Sequence, residues 1–495
     1  MKVVLISTYE LGRQPFGLAS PAAWLREAGA EVGCLDLSRT GFSESAEAAV
    51  RAADVIAFYL PMHTATRLAI EALPRVRSLN SMAHLCFYGL YAPLNEAYLR
   101  RLGAQTILGG EFEEGLVALA GKLGARSDAA GNQPGAGDLA GKGEEKRRRD
   151  SQDEPVISPV ISMARQRFRV PERSGLPDLK HYARLEIDGE RRVTGYTEAT
   201  RGCKHLCRHC PIVPVYEGRF RIVQREVVLA DIGQQVQAGA AHITFGDPDF
   251  FNGVGHSLAI VEALHREHPG LTYDVTIKIE HLLKYAHLLK RLRETGCLFV
   301  TTAVECLDDR VLGLFGKGHT RDDFVRVVEL FREVGLALSP TFIPFHPWTT
   351  VESYCEMLEA LWALGLAESI APVQLAVRLL IPARSRLLEL PEIRERLSGL
   401  KEHELSYRWS YADAAVERLY ASVRCIVGEE RVAGGKSKPS RSEIFSRVWA
   451  ETARARRKAD GSQPLPKGKE AADHFALEAL PARACIPYLN EPWFC

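Results

Sequence analysis

Short apolar runs alternate with amphipathic stretches through the first part of the chain. The runs that have the length and apolar character of strands are Val3–Ile6, Glu31–Asp36, Asp54–Tyr59, His84–Tyr88 and Gln105–Leu108. Buried apolar strands separated by helices are typical of a parallel sheet covered on both faces. Residues 1–122 are therefore predicted to form a doubly wound α/β domain, with ligands bound beyond the carboxyl ends of its strands.

A second series of strands and helices is predicted within residues 166–388. Its strands are expected over 195–200, 241–245, 272–279, 298–304, 338–343 and 373–380. Six such units favour a partial (β/α)6 barrel of the TIM type. Functional groups in such barrels lie at the carboxyl ends of the strands.

The remaining segments differ in composition from these two domains. Residues 123–165 are rich in Gly, Ala and charged side chains and lack hydrophobic periodicity, so they are predicted to be a disordered linker. The basic run Lys146–Arg149 is interpreted as solvated linker rather than as a nucleic-acid patch. A helical region is expected over 389–480, followed by a cysteine-bearing tail over 481–495.

Charge and hydropathy exclude several classes of protein. The chain has 63 basic and 62 acidic residues, so no global field attracts nucleic acid. No apolar run approaches the roughly 20 residues that span a bilayer. The opening Met1–Ser7 has the pattern of a strand rather than of a secretory leader. Eleven cysteines are spread unevenly, which fits free thiols in a reducing cytoplasm better than a disulfide framework.

Three of those cysteines, Cys203, Cys207 and Cys210, form the pattern C-x3-C-x2-C directly after the first strand of the second series. A [4Fe–4S] cluster normally takes four cysteine ligands, and no fourth cysteine lies nearby in the sequence. One iron would therefore be open to a non-protein ligand. The alternative is a zinc site in which His205 or His209 supplies the fourth ligand.

This spacing resembles the signature of the radical S-adenosylmethionine (radical SAM) enzymes. The resemblance implies that Cys203, Cys207 and Cys210 hold the cluster and that SAM chelates the open iron. Reductive cleavage of SAM would then give methionine and a 5′-deoxyadenosyl radical, with electrons from an external donor of the flavodoxin or ferredoxin type. His209 stands where the family often has another aromatic residue.

Two strand-end features follow the order of the same family. Gly246 and Asp247 lie after the second strand, where the resemblance implies contact with the SAM ammonium group; the alternative is an ordinary Gly-Asp-Pro turn. Glu305, followed by Lys317–Thr320, lies after the fourth strand and is expected to accept hydrogen bonds from the SAM ribose. The alternative for Glu305 is a helix cap.

Further charged side chains have more than one expected role. Lys278 and Glu280 are predicted to share one side of the third strand, where they pair with each other, with the SAM carboxylate or with substrate. Arg378 on the sixth strand has the same alternatives. Arg219, in the loop after the cysteines, is expected either to hold the SAM carboxylate or to face solvent.

The N-terminal domain, of flavodoxin-like type, resembles the cobalamin-binding-like domain that precedes many radical SAM domains. The residues that carry the resemblance are Ser7–Gly12, Ala22–Arg26, Gly29 and Leu35–Asp36. The D-x-H-x-x-G element that supplies a histidine to cobalt is absent, and His63 is a lone histidine in a strand-end loop. Cobalamin is an expected cofactor, and the alternative is a degenerate domain that shapes the substrate pocket.

The end of the chain, with Cys485 and Cys495, resembles the tail of the CUAEP/CCAEP radical SAM family. Members of that family continue with a second cysteine or selenocysteine and then Ala-Glu-Pro. The resemblance suggests that the reading frame was cut at a selenocysteine codon. A frayed terminus with a free thiol is the alternative.

Together these observations predict a radical SAM enzyme that acts on a small-molecule or peptide substrate, with methyl transfer favoured if cobalamin binds. Without cobalamin, hydrogen abstraction or carbon–sulfur chemistry is expected. A different class is a non-catalytic metal- or metalloid-binding iron–sulfur protein that uses the tail thiols. No membrane and no nucleic-acid partner is expected.

Overall fold

A computed structural model describes residues 1–131, 160–432, 439–459 and 488–489 of the chain. The chain divides into two compact units, unit 1 (Met1–His181) and unit 2 (Tyr182–Cys495). Most of the predicted linker, and the tail cysteines Cys485 and Cys495, lie outside the described residues. In the part of the chain that is described, no helix is long and apolar enough to cross a membrane.

Unit 1 is built on a parallel six-stranded sheet with the order β2-β1-β3-β4-β5-β6. Its strands are β1 (Lys2–Ser7), β2 (Glu31–Asp36), β3 (Val55–Tyr59), β4 (His84–Tyr88), β5 (Thr106–Gly110) and β6 (Ile161–Ser162). The central strands β3 and β4 are buried at every position, which is why they read as continuous apolar runs. The predicted doubly wound domain is confirmed.

The helices of unit 1 cover this sheet. They are α1 (Phe16–Glu27), α2 (Leu37–Thr40), α3 (Glu44–Ala52), α4 (His63–Leu79), α5 (Tyr91–Leu94), α6 (Glu96–Arg101) and α7 (Glu113–Gly131). Helix α7 continues past Lys122 into the segment assigned to the linker, and β6 adds a strand near the end of that segment. Helices α1 and α7 pack on one core with the sheet, through Leu18, Leu25 and Leu116.

Unit 2 contains a seven-stranded sheet with the order β14-β13-β12-β11-β8-β7-β17. Its strands are β7 (Arg184–Ile187), β8 (Glu190–Thr197), β11 (His242–Phe245), β12 (Thr272–Thr276), β13 (Cys297–Glu305), β14 (Ala337–Phe342) and β17 (Tyr488–Leu489). The strands from β8 to β14 run parallel, whereas β7 is antiparallel to both β8 and β17. Two hairpins stand apart: β9 (Thr200–Gly202) with β10 (Phe220–Ile222), and β15 (Leu397–Lys401) with β16 (Ser406–Trp409).

Helices follow the parallel strands of unit 2 and then form its C-terminal region. They are α8 (Val213–Tyr216), α9 (Arg225–Gln237), α10 (Val254–Glu267), α11 (Ile279–Lys284), α12 (Leu289–Glu294), α13 (Asp309–Phe315), α14 (Arg321–Val334), α15 (Val351–Ala363), α16 (Pro391–Arg394), α17 (Ala414–Val432) and α18 (Arg441–Ala459). The predicted fold class, a partial barrel followed by a helical region, is confirmed.

Two local predictions in this barrel are wrong. Strand β12 ends at Thr276, so Lys278 caps the next helix and Glu280 lies in its first turn rather than on a strand. The sixth strand is reduced to one parallel bridge between Phe345 and Arg378, because Pro372–Leu375 forms a 3₁₀ turn where the strand was expected to begin.

Candidate active site

The three motif cysteines lie on a loop that begins where the short strand β9 ends. Gly202 turns the chain into this loop with a φ of 76°, and a Cβ there would lie 2.3 Å from the Tyr216 ring. Only glycine satisfies both conditions at low cost. Cys207 is buried, and Cys203 and Cys210 are half-buried.

Neighbouring strand-end loops hold the cysteine loop from two sides. Asn252 accepts a hydrogen bond from the Lys204 backbone N–H and donates to the Gly202 carbonyl, both at 3.3 Å. On the other side, the Arg208 backbone N–H donates to the Phe315 carbonyl at 2.7 Å. The Arg208 guanidinium also donates to Leu314 at 3.0 Å, at the end of helix α13. The loop is therefore fixed by hydrogen bonds to its neighbours.

The Asp247 side chain is buried and forms hydrogen bonds within the protein. Its side chain is 1% exposed, and its carboxylate accepts from the Ala199 N–H at 3.0 Å and the Thr200 hydroxyl at 2.6 Å. Burial raises the pKa of Asp247 to about 7 despite these donors. Gly246 beside it packs so closely on Tyr196 that a Cβ would lie 1.8 Å from the phenol oxygen. The carboxylate thus fixes the chain just before the cysteine loop, and the expected contact with SAM at this turn stays a prediction.

Glu305 is joined directly to the cysteine motif. Its Oε1 lies 3.0 Å from Nε2 of His209 and 3.1 Å from Nζ of Lys317. Burial alone would raise the pKa of the Glu305 carboxyl, but the Lys317 ammonium and the His209 ring hold it below its usual range. Glu305 also has a φ of 74°, a region that a non-glycine residue adopts only when its surroundings require it.

Lys278 also reaches the cysteine loop, although it is not on a strand. Its ammonium group pairs with Glu280 and lies 3.3 Å from Nδ1 of His205. Arg219 is not brought to this group: its guanidinium is exposed and pairs with Glu217. Arg378 is also elsewhere, since it pairs with Glu417 and lies over the ring of Trp409.

The residues around the loop suit an anionic thiolate-ligated cluster. Burial raises the pKa of the Cys203 thiol to about 11 and that of Cys210 to about 12, so thiolates need nearby positive charge or bound metal. Lys317 supplies such charge: burial lowers the pKa of its ammonium group, but attraction to Glu305 and Cys207 outweighs this and raises it. The buried Nδ1 of His209 has no hydrogen-bond partner within the described residues, which leaves it available to a bound group.

An aromatic group next to these residues was missed from the sequence. The Phe315 ring contacts His209 at 4.8 Å, His346 at 5.8 Å and Trp348 at 6.1 Å between centroids. Within the described part of the chain, His346 Nδ1 and Trp348 Nε1 are buried without hydrogen-bond partners. The signal was His346-Pro-Trp348 directly after the fifth strand, a position where barrels place functional groups.

Comparison with known proteins matches this part of unit 2 to a described family. Residues 197–361 match the family model for the radical SAM superfamily, so the chain carries a radical SAM domain. A tRNA-2-methylthio-N(6)-dimethylallyladenosine synthase of Novosphingobium aromaticivorans is 25% identical over 40% of this chain and 46% of its own length. The ribosomal protein uS12 methylthiotransferase RimO of Bacteroides thetaiotaomicron is 25% identical over 36% and 40%. The chain thus spans about half the length of the curated relatives it matches.

Solved structures resemble the fold over both units. The cobalamin-dependent S-adenosylmethionine radical enzyme OxsB, with aqua-cobalamin and S-adenosylmethionine bound, gives a TM-score of 0.67 at 14% identity over 91% of this chain and 72% of its own. The radical S-adenosylmethionine methyltransferase TsrM from Kitasatospora setae gives 0.60 at 16% identity over 92% and 99%. At these identities the likeness shows the fold alone.

Proposed function

We propose that this protein is a radical SAM enzyme in which Cys203, Cys207 and Cys210 hold a [4Fe–4S] cluster that binds SAM at its open iron. The observation that carries the proposal is the buried Glu305–Lys317 pair, which contacts the half-buried His209 of the cysteine loop. When bound, the cluster and SAM supply one-electron cleavage chemistry. A zinc site with His205 or His209 as fourth ligand is the alternative, and the iron, sulfide and zinc content of anaerobically purified protein separates the two.

The residues of unit 2 bind and orient SAM in this proposal. Both hydrogen bonds to Glu305 go to Oε1, which leaves Oε2 to accept from the ribose hydroxyls. The backbone at Gly246 meets the methionine end of SAM, while the Asp247 carboxylate keeps that turn in place. Lys278 adds positive charge beside Cys203. Arg219 is exposed and pairs with Glu217, so it would reach the SAM carboxylate only by leaving that pair.

Methyl transfer with cobalamin is the favoured reaction. The likeness in fold to OxsB and TsrM supports it, because both carry cobalamin in solved structures. In unit 1, Gly17 and Gly89 bring the backbone against the Tyr59 ring. A Cβ added at Gly17 would lie 2.1 Å from this ring, and one added at Gly89 would lie 3.0 Å from it. Cobalamin would be held in unit 1 by the loops that follow the carboxyl ends of its strands, above these buried residues.

Radical chemistry without cobalamin is the second candidate. It is favoured by the curated relatives, which are named as methylthiotransfer enzymes. In both cases the substrate is a small molecule or peptide and the electrons come from a flavodoxin- or ferredoxin-type donor in the cytoplasm. The CUAEP/CCAEP tail and a non-catalytic metalloid-binding role depend on Cys485 and Cys495, which the structure does not describe.

Anaerobic reconstitution with iron, sulfide, a reductant and SAM tests the proposal. We expect 5′-deoxyadenosine by mass spectrometry from the natural chain and none from Cys207→Ser. Cys425→Ser changes an exposed cysteine of helix α17 and is the matched control. An intact cluster that forms no 5′-deoxyadenosine would favour the non-catalytic reading. Cobalamin retention, followed by visible absorbance, and methyl transfer from labelled SAM separate the two reactions.

A further inference from the structure

A second group of metal-ligand side chains lies beside the cysteine loop. His205 is on that loop, Asp249 follows strand β11, and His281 is in helix α11. One ligand atom from each lies within 4.8 Å of the others. Asp249 and His281 are buried, at 1% and 4% exposure, and His205 is half-buried. Three segments that are distant in sequence therefore converge on one point.

The distances within this group suit ligands of a single ion. Oδ2 of Asp249 lies 3.1 Å from Nε2 of His205 and 2.6 Å from Nδ1 of His281. Donors bound at 2.0–2.2 Å to one ion at angles near 90–110° lie roughly 3–3.5 Å apart. The Asp249–His205 distance lies within this range, whereas the Asp249–His281 distance is shorter, so the His281 ring would move outward by a few tenths of an ångström around a bound ion. The other carboxylate oxygen of Asp249 accepts from the Phe251 N–H at 3.1 Å, which orients the carboxylate.

His281 gives a separate indication of a missing ligand. Its Nδ1 is close to Asp249, yet it has no hydrogen-bond partner of acceptable geometry in the described residues. The direction of the ring nitrogen therefore misses the carboxylate oxygen and points to a position beside it. A buried imidazole nitrogen without a partner is costly, and an ion at that position would satisfy it.

The surroundings of His205 also match a metal ligand. Its second nitrogen, Nδ1, lies 3.4 Å from Oε2 of Glu280, and metal-bound histidines usually donate that N–H to a carboxylate. Lys278, 3.3 Å from the same nitrogen, pairs with Glu280. The two carboxylates of Asp249 and Glu280 and the ammonium group of Lys278 have a net charge of −1 when both imidazoles are neutral. This net charge favours binding of a cation.

We propose that His205, Asp249 and His281 form a mononuclear site for a divalent transition metal of the Zn²⁺, Fe²⁺ or Co²⁺ class, separate from the cluster. Two imidazoles and one carboxylate suit these ions. Three protein ligands leave coordination positions open. Since His205 belongs to the cysteine loop, the ion ties that loop to the end of β11 and to helix α11.

Cobalt binding to the full chain tests the site. The protein is first reconstituted with its cluster, so that the motif cysteines are occupied, and is then incubated with Co²⁺ and desalted. Metal analysis should find one Co²⁺ per chain beyond the cluster. Electron paramagnetic resonance of the oxidised sample should show high-spin Co²⁺, because the oxidised cluster is silent.

Two variants and one control localise the bound ion. Asp249→Asn keeps an acceptor for Phe251, and His281→Gln keeps much of the ring volume; each should weaken Co²⁺ binding by at least about tenfold. His256→Gln in helix α10 changes a histidine outside the group and should bind as the natural chain does. No Co²⁺ in the natural chain, or binding by both variants as tight as that of the natural chain, would overturn the site and leave a hydrogen-bonded network.

Cluster iron and 5′-deoxyadenosine, measured on the same samples, keep the two proposals apart. If the natural chain has a full cluster and forms 5′-deoxyadenosine but binds no Co²⁺, only the metal site is rejected. Co²⁺ bound by the natural chain and lost in the variants, without 5′-deoxyadenosine, supports the site and rejects the enzyme. Circular dichroism checks that each variant is folded; if one is not, the other still decides.

Discussion

The two units use the same kind of parallel sheet but fill its carboxyl edge differently. In unit 1 the ends of β3 and β4 carry Tyr59 and Tyr88, whose rings lie 5.3 Å apart and contact Phe112. In unit 2 the corresponding edge carries buried charged groups such as Glu305 and Lys317, paired at 3.1 Å. All three rings are buried, so they form packed apolar core at this edge of unit 1, whereas the edge of unit 2 carries a buried ion pair.

The two edges can be compared by the groups that they bury. Burying charges costs free energy even when they are paired, and unit 1 also buries two carboxylates just after strand β5, those of Glu111 and Glu113. Stacked and tilted rings stabilise an edge without that cost. Variants at the two edges show whether the proposed cluster depends on unit 2 alone.

The largest effect is expected from the cluster ligands. Cys207→Ser should abolish cluster binding, measured as iron content and absorbance, because it removes one of three thiolates. Gly17→Ala in unit 1 should leave the iron content unchanged, since it alters no thiol. Loss of iron in the unit 1 variant alone would reverse the assignment of the two units.

The next largest effect concerns the ion pair. Glu305→Gln leaves Lys317 buried without a counter-charge and should cost about 3–5 kcal/mol in the free energy of unfolding of unit 2. Glu305→Gln combined with Lys317→Met removes both charges and should recover most of that loss. Urea unfolding followed by tryptophan fluorescence measures both. Equal stability of the single and double variants would show that the pair is not desolvated as the structure indicates.

A smaller effect is expected at the unit 1 edge. Gly17→Ala places a Cβ 2.1 Å from the Tyr59 ring, and such overpacking typically costs about 1–3 kcal/mol. Gly121→Ala in helix α7 meets nothing within 4 Å and should stabilise by up to about 1 kcal/mol through helix propensity. Thermal unfolding of both variants gives the difference. If Gly17→Ala is harmless, the Tyr59 ring moves aside more easily than its close contact with Gly17 indicates.

The sequence predicted the sheets of both units because strands buried on both faces appear as apolar runs, as in Val55–Tyr59. It also placed the cysteine loop at a strand end. It could not distinguish strand from helix after Thr276, since Ile277-Lys-Ile-Glu280 alternates like a strand while Glu280–Lys284 also fits a helix start. The sequence also could not predict the hydrogen bond between Glu305 and His209, because the two residues are far apart in the chain and no local pattern indicates their contact.

The smallest effect tests the aromatic group of unit 2 by pH. Burial lowers the pKa of His346 to about 3 from its usual 6.5. Between these values the unfolded chain takes up a proton that the folded chain does not, so stability should fall as pH falls through this window. From pH 7.5 to 5.5 the loss due to His346 is about 1.4 kcal/mol, and His346→Gln should remove it. His287→Gln is the control, because that ring is exposed in the folded chain. Urea midpoints of the natural chain and the two variants are measured at both pH values. If His346→Gln loses as much stability between pH 7.5 and pH 5.5 as the natural chain does, water or a bound group already reaches the His346 ring in the folded protein.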